Sequence, residues 1–451
     1  MRYPFVGELP ALYRDVIGVF RAKAAKHGDR APIHIGPDKA YVISNAEDAK
    51  TLLMANEAHA RKSRYTAMMS SVFGGSVLTS SGETWKRQRD YLNALFRGPS
   101  LMAWALVIIK EAETLCETWA DEAAGAHHEI FAEREAKGLV QRIMGRILFG
   151  AHFPDGDLHE LMTELQRVND RLFSMFIIRS VLKGPLSRLP VPGQSDLKSA
   201  VHKIDAFLED LSRRSIDDDD PCLAAKLMKC VPDGAAGRKE LRDQVTVLFY
   251  AGQDTTARAV AWGLLLLSEH PQWIARIREE AATALADPAN PQLSKLTITD
   301  RVVREILRLK PPAYAIDRCG LTPEILPGLD IKPGAILPIS VTNIHRSDKY
   351  WRDPWAFRPD RFLNGESAGR PTCAFIPFGH GARKCVGAKL AMMELTLVFA
   401  VICRDFNFKR VGDKPIKEKA AVTLGPSPDI RLRINEVKRD ISHPSPHVSS
   451  T

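Results

Sequence analysis

The chain has 451 residues, 45% of them hydrophobic and 26% charged, enough for one large globular domain or two to three smaller ones. Its net charge of +9 suits nucleic acid, an anionic membrane surface or an acidic protein partner, and does not choose among them. The seven cysteines (Cys116, Cys222, Cys230, Cys319, Cys373, Cys385, Cys403) are odd in number and nowhere spaced Cys-x-x-Cys. "MRYPFVGELPALYRDV" lacks the apolar core of a secretory signal, and runs such as "LMAWALVII" fall far short of the roughly 20 residues of a spanning helix. The expectation is a reduced, soluble, cytoplasmic protein with no membrane anchor, not a disulfide scaffold.

Helical periodicity dominates in chain order: "DAKTLLMANEAHARK", "LMAWALVIIKEAETLCETWADEAA", "AKGLVQRIMGRILFG" and "DLHELMTELQRVNDRLFSMF" each read as amphipathic helices. A Pro-rich break at 183–196 follows, then helical spacing in "LKSAVHKIDAFLEDLSRRSI" and an acidic run, Asp217 to Asp220, that reads as a solvated loop. The next helix, from about Lys239 to His270, is apolar nearly all round and belongs in the middle of a large core. Strand signals are few: "AYVIS", the stretch 325–341, "FNFKR" and "IRLRIN". The composition of residues 438–451 predicts a disordered tail. The pattern predicts one mainly α domain, 1–437, with small β-sheets at its edges.

The chemistry concentrates in "FIPFGHGARKCVG", Phe375 to Gly387. Gly379 and Gly381 allow backbone turns that a Cβ obstructs. The helical spacing after Cys385 places that cysteine at a helix N-terminus, where N–H groups and Arg383 favour a thiolate. Gly387 lets the backbone approach a flat partner. Four uses fit: a buried core thiol, a nucleophile, a zinc ligand with Cys373 and His380, or the thiolate ligand of a haem iron.

"FGHGARKCVG" resembles the Phe-Gly-x-Gly-x-Arg-x-Cys-x-Gly signature of the cytochrome P-450 superfamily, the haem-thiolate monooxygenases. Other segments resemble that family in the same order, from Trp85 to Gly387. Glu305 and Arg308 in "REILRLKPP" are an i,i+3 pair, by itself usually a surface ion pair. In the family this pair is buried with a third member, here Arg361 in "FRPDRF", where Asp360 replaces the more frequent Glu. "AGQDTT", 251–256, lies in the central helix. Leu248, Ala251, Gly252 and Thr255 share a face, and small residues there also suit close helix packing. The resemblance makes it an oxygen-binding groove with Asp254 and Thr255 as an acid–alcohol pair delivering protons. It implies haem contacts from Trp85, Arg89, Arg318, Phe378, Arg383 and Gly387, with Cys385 as the axial ligand of haem b. His380 is left without a role.

The implied fold is the cytochrome P-450 fold, with haem between the central helix and the cysteine loop. The implied reaction inserts one atom of O2 into a hydrophobic substrate of terpenoid, steroid or fatty acyl type. A haem-thiolate isomerase, dehydratase or peroxygenase is the alternative. No flavin or dinucleotide fingerprint appears, so electrons come from a ferredoxin with its reductase or from a flavodoxin, steered by Lys86, Arg87, Lys384 and Lys389. By analogy the pocket involves the 65–84 loop, the 172–186 segment (Phe173, Phe176, Ile177), Leu248, Ala251, Ala313, Tyr314, Ile316 and the turn at 424–427. The expected enzyme is a monomer that binds no nucleic acid.

Overall fold

The computed structural model describes residues 7–122, 128–150 and 222–437 apart from a few positions within them, with scattered residues between 156 and 213. The expected helices at 157–176 and 197–216, the break at 183–196, the acidic run and the tail 438–451 lie wholly or mostly outside the described residues. So do Phe173, Phe176 and Ile177.

The main helices are α1 (Leu9–His27), α2 (Ala46–Met54), α3 (Gly82–Leu95), α4 (Pro99–Glu122), α5 (Ala132–Phe149), α6 (Gly234–Ser268), α7 (Pro271–Ala284), α8 (Thr297–Leu309) and α9 (Ala388–Asp405). Helix α6 is the axis. Its buried residues from Leu241 to Leu267 cover most of its circumference, as its all-round apolar sequence demands. Helices α5, α7, α8 and α9 pack against it. Gly252 serves this packing: a Cβ there would lie 2.6 Å from Met144 Cε on α5. That glycine gives room to a neighbouring helix rather than to a groove.

The expected helix at 48–62 is shorter. Asn45 caps α2 by accepting the Asp48 N–H, and the chain leaves the helix at Ala55. Asn56 then folds a turn through the Ala58 N–H, and Ala60–Arg61 becomes strand β3. The edge sheet has the order β3-β6-β7-β2-β8-β5, with β1 (Arg30–Ile35) on β2 (Asp38–Ile43). Its other members are two-residue pairings: β5 (Ala315–Ile316), β6 (Cys319–Gly320), β7 (Ala335–Ile336) and β8 (Ile339–Ser340). Stretch 325–341 contributes only the last two, because Pro327, Pro333 and Pro338 cannot donate to a ladder. Strands β4 (His128–Phe131), β9 (Phe406–Arg410) and β12 (Arg431–Glu436) form a second sheet. Strands β10 (Lys417–Ala420) and β11 (Leu424–Ser427) make a hairpin. No single helix among the described residues is long and apolar enough to cross a membrane.

Candidate functional site

Two buried networks hold the cysteine loop. In α8, Glu305 and Arg308 are completely buried and joined by two bonds, 2.7 and 2.9 Å. Glu305 also accepts from Arg361 Nε at 3.0 Å and from the Arg358 backbone N–H. The remaining guanidinium donors of Arg308 reach the carbonyls of His345, Pro354 and Ala356. Those of Arg361 reach Arg352, Asp353 and Ala356. One carboxylate and two cations thus fasten the proline-rich chain that leads to Cys385. His345 completes the support: its Nε2 accepts the N–H of Ile376 at 2.8 Å. Burial and nearby Arg308 push its pKa down to about 3, so the ring is neutral. Nothing in "IHRSD" distinguished this histidine beforehand.

The loop itself closes where Cys385 N–H donates to the Phe378 carbonyl at 2.9 Å. Gly379 and Gly381 have φ of +71° and +72°, and a Cβ at Gly381 would lie 2.3 Å from the Leu53 carbonyl oxygen. Both positions need glycine. A Cβ at Gly387 would meet Phe96 at 3.9 Å and Cys385 Sγ at 4.0 Å, ordinary contact distances that leave the sulfur approachable. Cys385 is at once accessible and deep: the side chain keeps accessible surface, while surrounding protein pushes the thiol pKa up. The Gly387 N–H, Arg89 and Lys384 pull it down. Arg383, expected to favour the thiolate, instead turns away. It donates to the Ser80 carbonyl and to Glu57, and its guanidinium lies 3.9 Å from the Trp85 ring centroid.

Arg383 belongs to a second cluster, and this one is short of negative charge. Lys62, Arg89 and Arg318 are desolvated around it, and each interacts unfavourably with Arg383. Burial and the Arg383 and Arg318 charges hold the Lys62 ammonium down to about 7. Opposing them are two carboxylates, Glu57 and Asp317. Asp317 is itself occupied by the Ser63 N–H and the Thr66 hydroxyl. A cavity of about 460 Å³ opens beside Lys62, Glu57 and Arg383. Buried cations without enough counter-charge are costly unless an anion joins them. The donor set therefore fits a group that presents carboxylates to the cations, and Arg89, which also acts on the Cys385 sulfur, ties the cluster to a ligand that can hold a metal. Lys62 lies in one of several basic stretches, and no sequence signal set it apart.

The other uses of Cys385 lose their partners. Among the described residues no three His, Cys, Asp or Glu side chains can share a metal ion, so Cys373, His380 and Cys385 do not gather. Among the described residues, the groups acting on the Cys385 sulfur are the Gly387 N–H, Arg89 and Lys384, with no histidine.

Asp254 and Thr255 do not touch. The Thr255 hydroxyl donates to the Ala251 carbonyl at 2.6 Å. The Asp254 carboxylate is buried, accepts from Thr423 on the β10–β11 turn, and faces Arg258 Nε at 3.7 Å. Neighbouring helical positions diverge in direction, which explains the separation. Thr423 and Arg258 were not anticipated. Ala251 is exposed and Leu248 buried on the same helix. Ile316 points toward the loop, 3.7 Å from where a Gly379 Cβ would lie. Tyr314 departs from its expected place: its hydroxyl donates to the Ala421 carbonyl at 2.9 Å and its ring packs on the α1–β1–β2 cluster. It offers no polar group to a pocket. Ala313 is half-buried, and Lys86, Lys384 and Lys389 are exposed. Arg87 is paired with Glu240 at 2.5 Å and is not a free surface charge.

An approachable cysteine in a glycine-shaped loop, beside surplus cations, is a donor set that suits an anionic metal cofactor. A family model, Cytochrome P450, matches residues 1–432, and the chain belongs to that family. It is 27% identical over 437 residues to pentalenene oxygenase of Streptomyces avermitilis, covering 96% of this chain and 95% of that one. Cyclooctat-9-en-7-ol 5-monooxygenase of Streptomyces melanosporofaciens is 26% identical, with 90% of this chain and 88% of that one covered. The structure titled retinoic acid bound cyanobacterial CYP120A1 superposes with a TM-score of 0.82 at 18% identity, over 96% of this chain and 98% of that one. It shares the fold. The protein is accordingly an oxidoreductase of the monooxygenase class. Membership implies haem with a cysteine thiolate ligand, dioxygen, a redox partner and a hydrophobic substrate.

Proposed function

We propose that this protein hydroxylates or epoxidises a terpenoid hydrocarbon or alcohol, using O2 and two electrons from a ferredoxin with its reductase or from a flavodoxin. The observation that carries the reading is Cys385 approachable in its glycine loop beside under-neutralised cations. Two of the relatives act on terpenoids by name, which supports the substrate class. When bound, haem b supplies the dioxygen activation that puts one oxygen atom into a C–H or C=C bond and the other into water.

The chain's own residues do the rest. Cys385 would hold the haem iron through its sulfur, with the Gly387 N–H, Arg89 and Lys384 stabilising its charge. Arg318, Arg383, Arg89 and Lys62 would hold the propionates. Trp85 is positioned through its stack on Arg383, while Phe378 and Gly387 shape the cradle. Thr255, whose hydroxyl donates to the Ala251 carbonyl, and Asp254, in its polar pocket with Thr423, would hold and pass on the protons that the reaction consumes. Leu248, Ala251, Ala313 and Ile316 line an apolar substrate space. Residues 1–437 form one haem domain with 438–451 as its tail, and exposed Lys86, Lys384 and Lys389 guide the donor.

The test is a spectral binding screen of terpenes against the ferric protein, followed by turnover of the hits. The proposal expects product that depends on NAD(P)H and a ferredoxin or flavodoxin system. Product formed equally well with peroxide alone, or from no terpene at all, contradicts it.

A further inference from the structure

A polar chain runs from Asp254 to the protein surface, and its bond lengths are unequal. Asp254 Oδ1 faces Arg258 Nε at 3.7 Å, beyond hydrogen-bonding distance, and that buried Nε has no hydrogen-bond partner among the described residues. The same guanidinium donates through Nη1 to Glu133 Oε1 at 2.6 Å. Glu133, in the first turn of α5, also takes Lys137 at 2.7 Å. Its backbone N–H donates to Asp429. Gly425 on β11 fixes where Arg258 passes, since a Cβ there would lie 2.1 Å from Nη1.

A guanidinium keeps its proton in proteins, so this chain is no proton wire. It is a division of charge. Arg258 is drawn to Glu133, and Asp254 is left with a hydroxyl, Thr423, as its one hydrogen-bonding side chain among the described residues. A bidentate guanidinium grips a carboxylate firmly; at 3.7 Å Arg258 still attracts Asp254 but makes no hydrogen bond to it.

We propose that Glu133 is a positioning residue for Asp254, acting through Arg258: it draws the guanidinium aside and keeps the carboxylate free to exchange protons. This rests on the reading of Asp254 as a proton carrier. The groups facing Asp254 are Arg258 on its own helix and Thr423 from the β10–β11 turn, with Glu133, Lys137 and Asp429 behind Arg258.

The test titrates the Asp254 carboxyl in ferric holoenzyme carrying ¹³C-labelled aspartate, by infrared difference against Asp254→Asn. Glu133→Gln frees Arg258 to close on Asp254. The expected result is a midpoint lower by one pH unit or more, about a tenfold loss of proton affinity, with Glu133→Asp recovering most of it. An unmoved midpoint in Glu133→Gln, or an equal shift in Glu133→Asp, overturns the inference. The titration reads Asp254 whatever the substrate, so failure of the monooxygenase reading shows separately, in the turnover assay.

Discussion

The Glu305–Arg308–Arg361 network and the Lys62–Arg89–Arg318–Arg383 cluster are both buried or half-buried and both rich in arginine. They differ in what they border. In the first, the carboxylate and both guanidinium groups find partners within 3.2 Å. In the second, where cations also outnumber carboxylates two to one, Lys62, Arg318 and Arg383 donate to the Leu78, Asp317 and Ser80 carbonyls, but Lys62 and Arg383 border an open cavity of about 460 Å³ and the Lys62 pKa falls to about 7. A network closed on every side specifies a fold, while a cation cluster open to a cavity has room for an anionic ligand. Burial of arginine alone does not tell these apart; what lies beside it does.

The largest expected effect comes from unbalancing the closed network. Glu305→Ala leaves two guanidinium groups buried without their carboxylate and should cost about 3–5 kcal/mol, read from urea unfolding. A loss within 1 kcal/mol (about the range of an exposed pair) erases the distinction. Next comes Lys62→Met in the open cluster. Losing one charge-assisted contact, worth about 1.5–3 kcal/mol, should speed haem capture by a scavenger roughly tenfold to a hundredfold. Unchanged capture removes Lys62 from the site.

Glu394 on α9 sharpens the comparison from the uncharged side. It is buried, its Oε1 has no hydrogen-bond partner among the described residues, and burial pushes its pKa up to about 8. The folded protein therefore holds a proton that the unfolded chain releases above about 4.5. The corresponding stability is full below pH 4.5 and is lost as pH rises through 8, at about 1.4 kcal/mol per unit. Glu394→Gln should flatten that decline relative to the parent; parallel pH curves contradict it.

Much of this was legible in the sequence. The cysteine loop, the Glu-x-x-Arg pair and "AGQDTT" are local patterns, and helix α6 announced itself by apolar residues on every face. What sequence could not supply were relations between distant segments. Lys62 matters through Arg383 and Arg318, His345 through Ile376, and Thr423 through Asp254. Arg383 beside Cys385 in sequence turns toward Glu57, whereas Arg89, far off in sequence, acts on the sulfur. Gly252 suited helix packing as well as a groove, and only the structure shows Met144 beside it. Two-residue strands such as β7 and β8 are set by tertiary pairing and carry no periodic signal.

The central claim is that one arginine cluster holds the fold and the other holds the cofactor. The most direct measurement follows haem capture and far-ultraviolet circular dichroism together in holoenzyme carrying Arg318→Leu or Arg361→Leu. The account predicts that Arg318→Leu gives up haem while its helical signal persists, and that Arg361→Leu gives up haem only as the helical signal falls. The same coupling of haem loss to unfolding in both variants would contradict it.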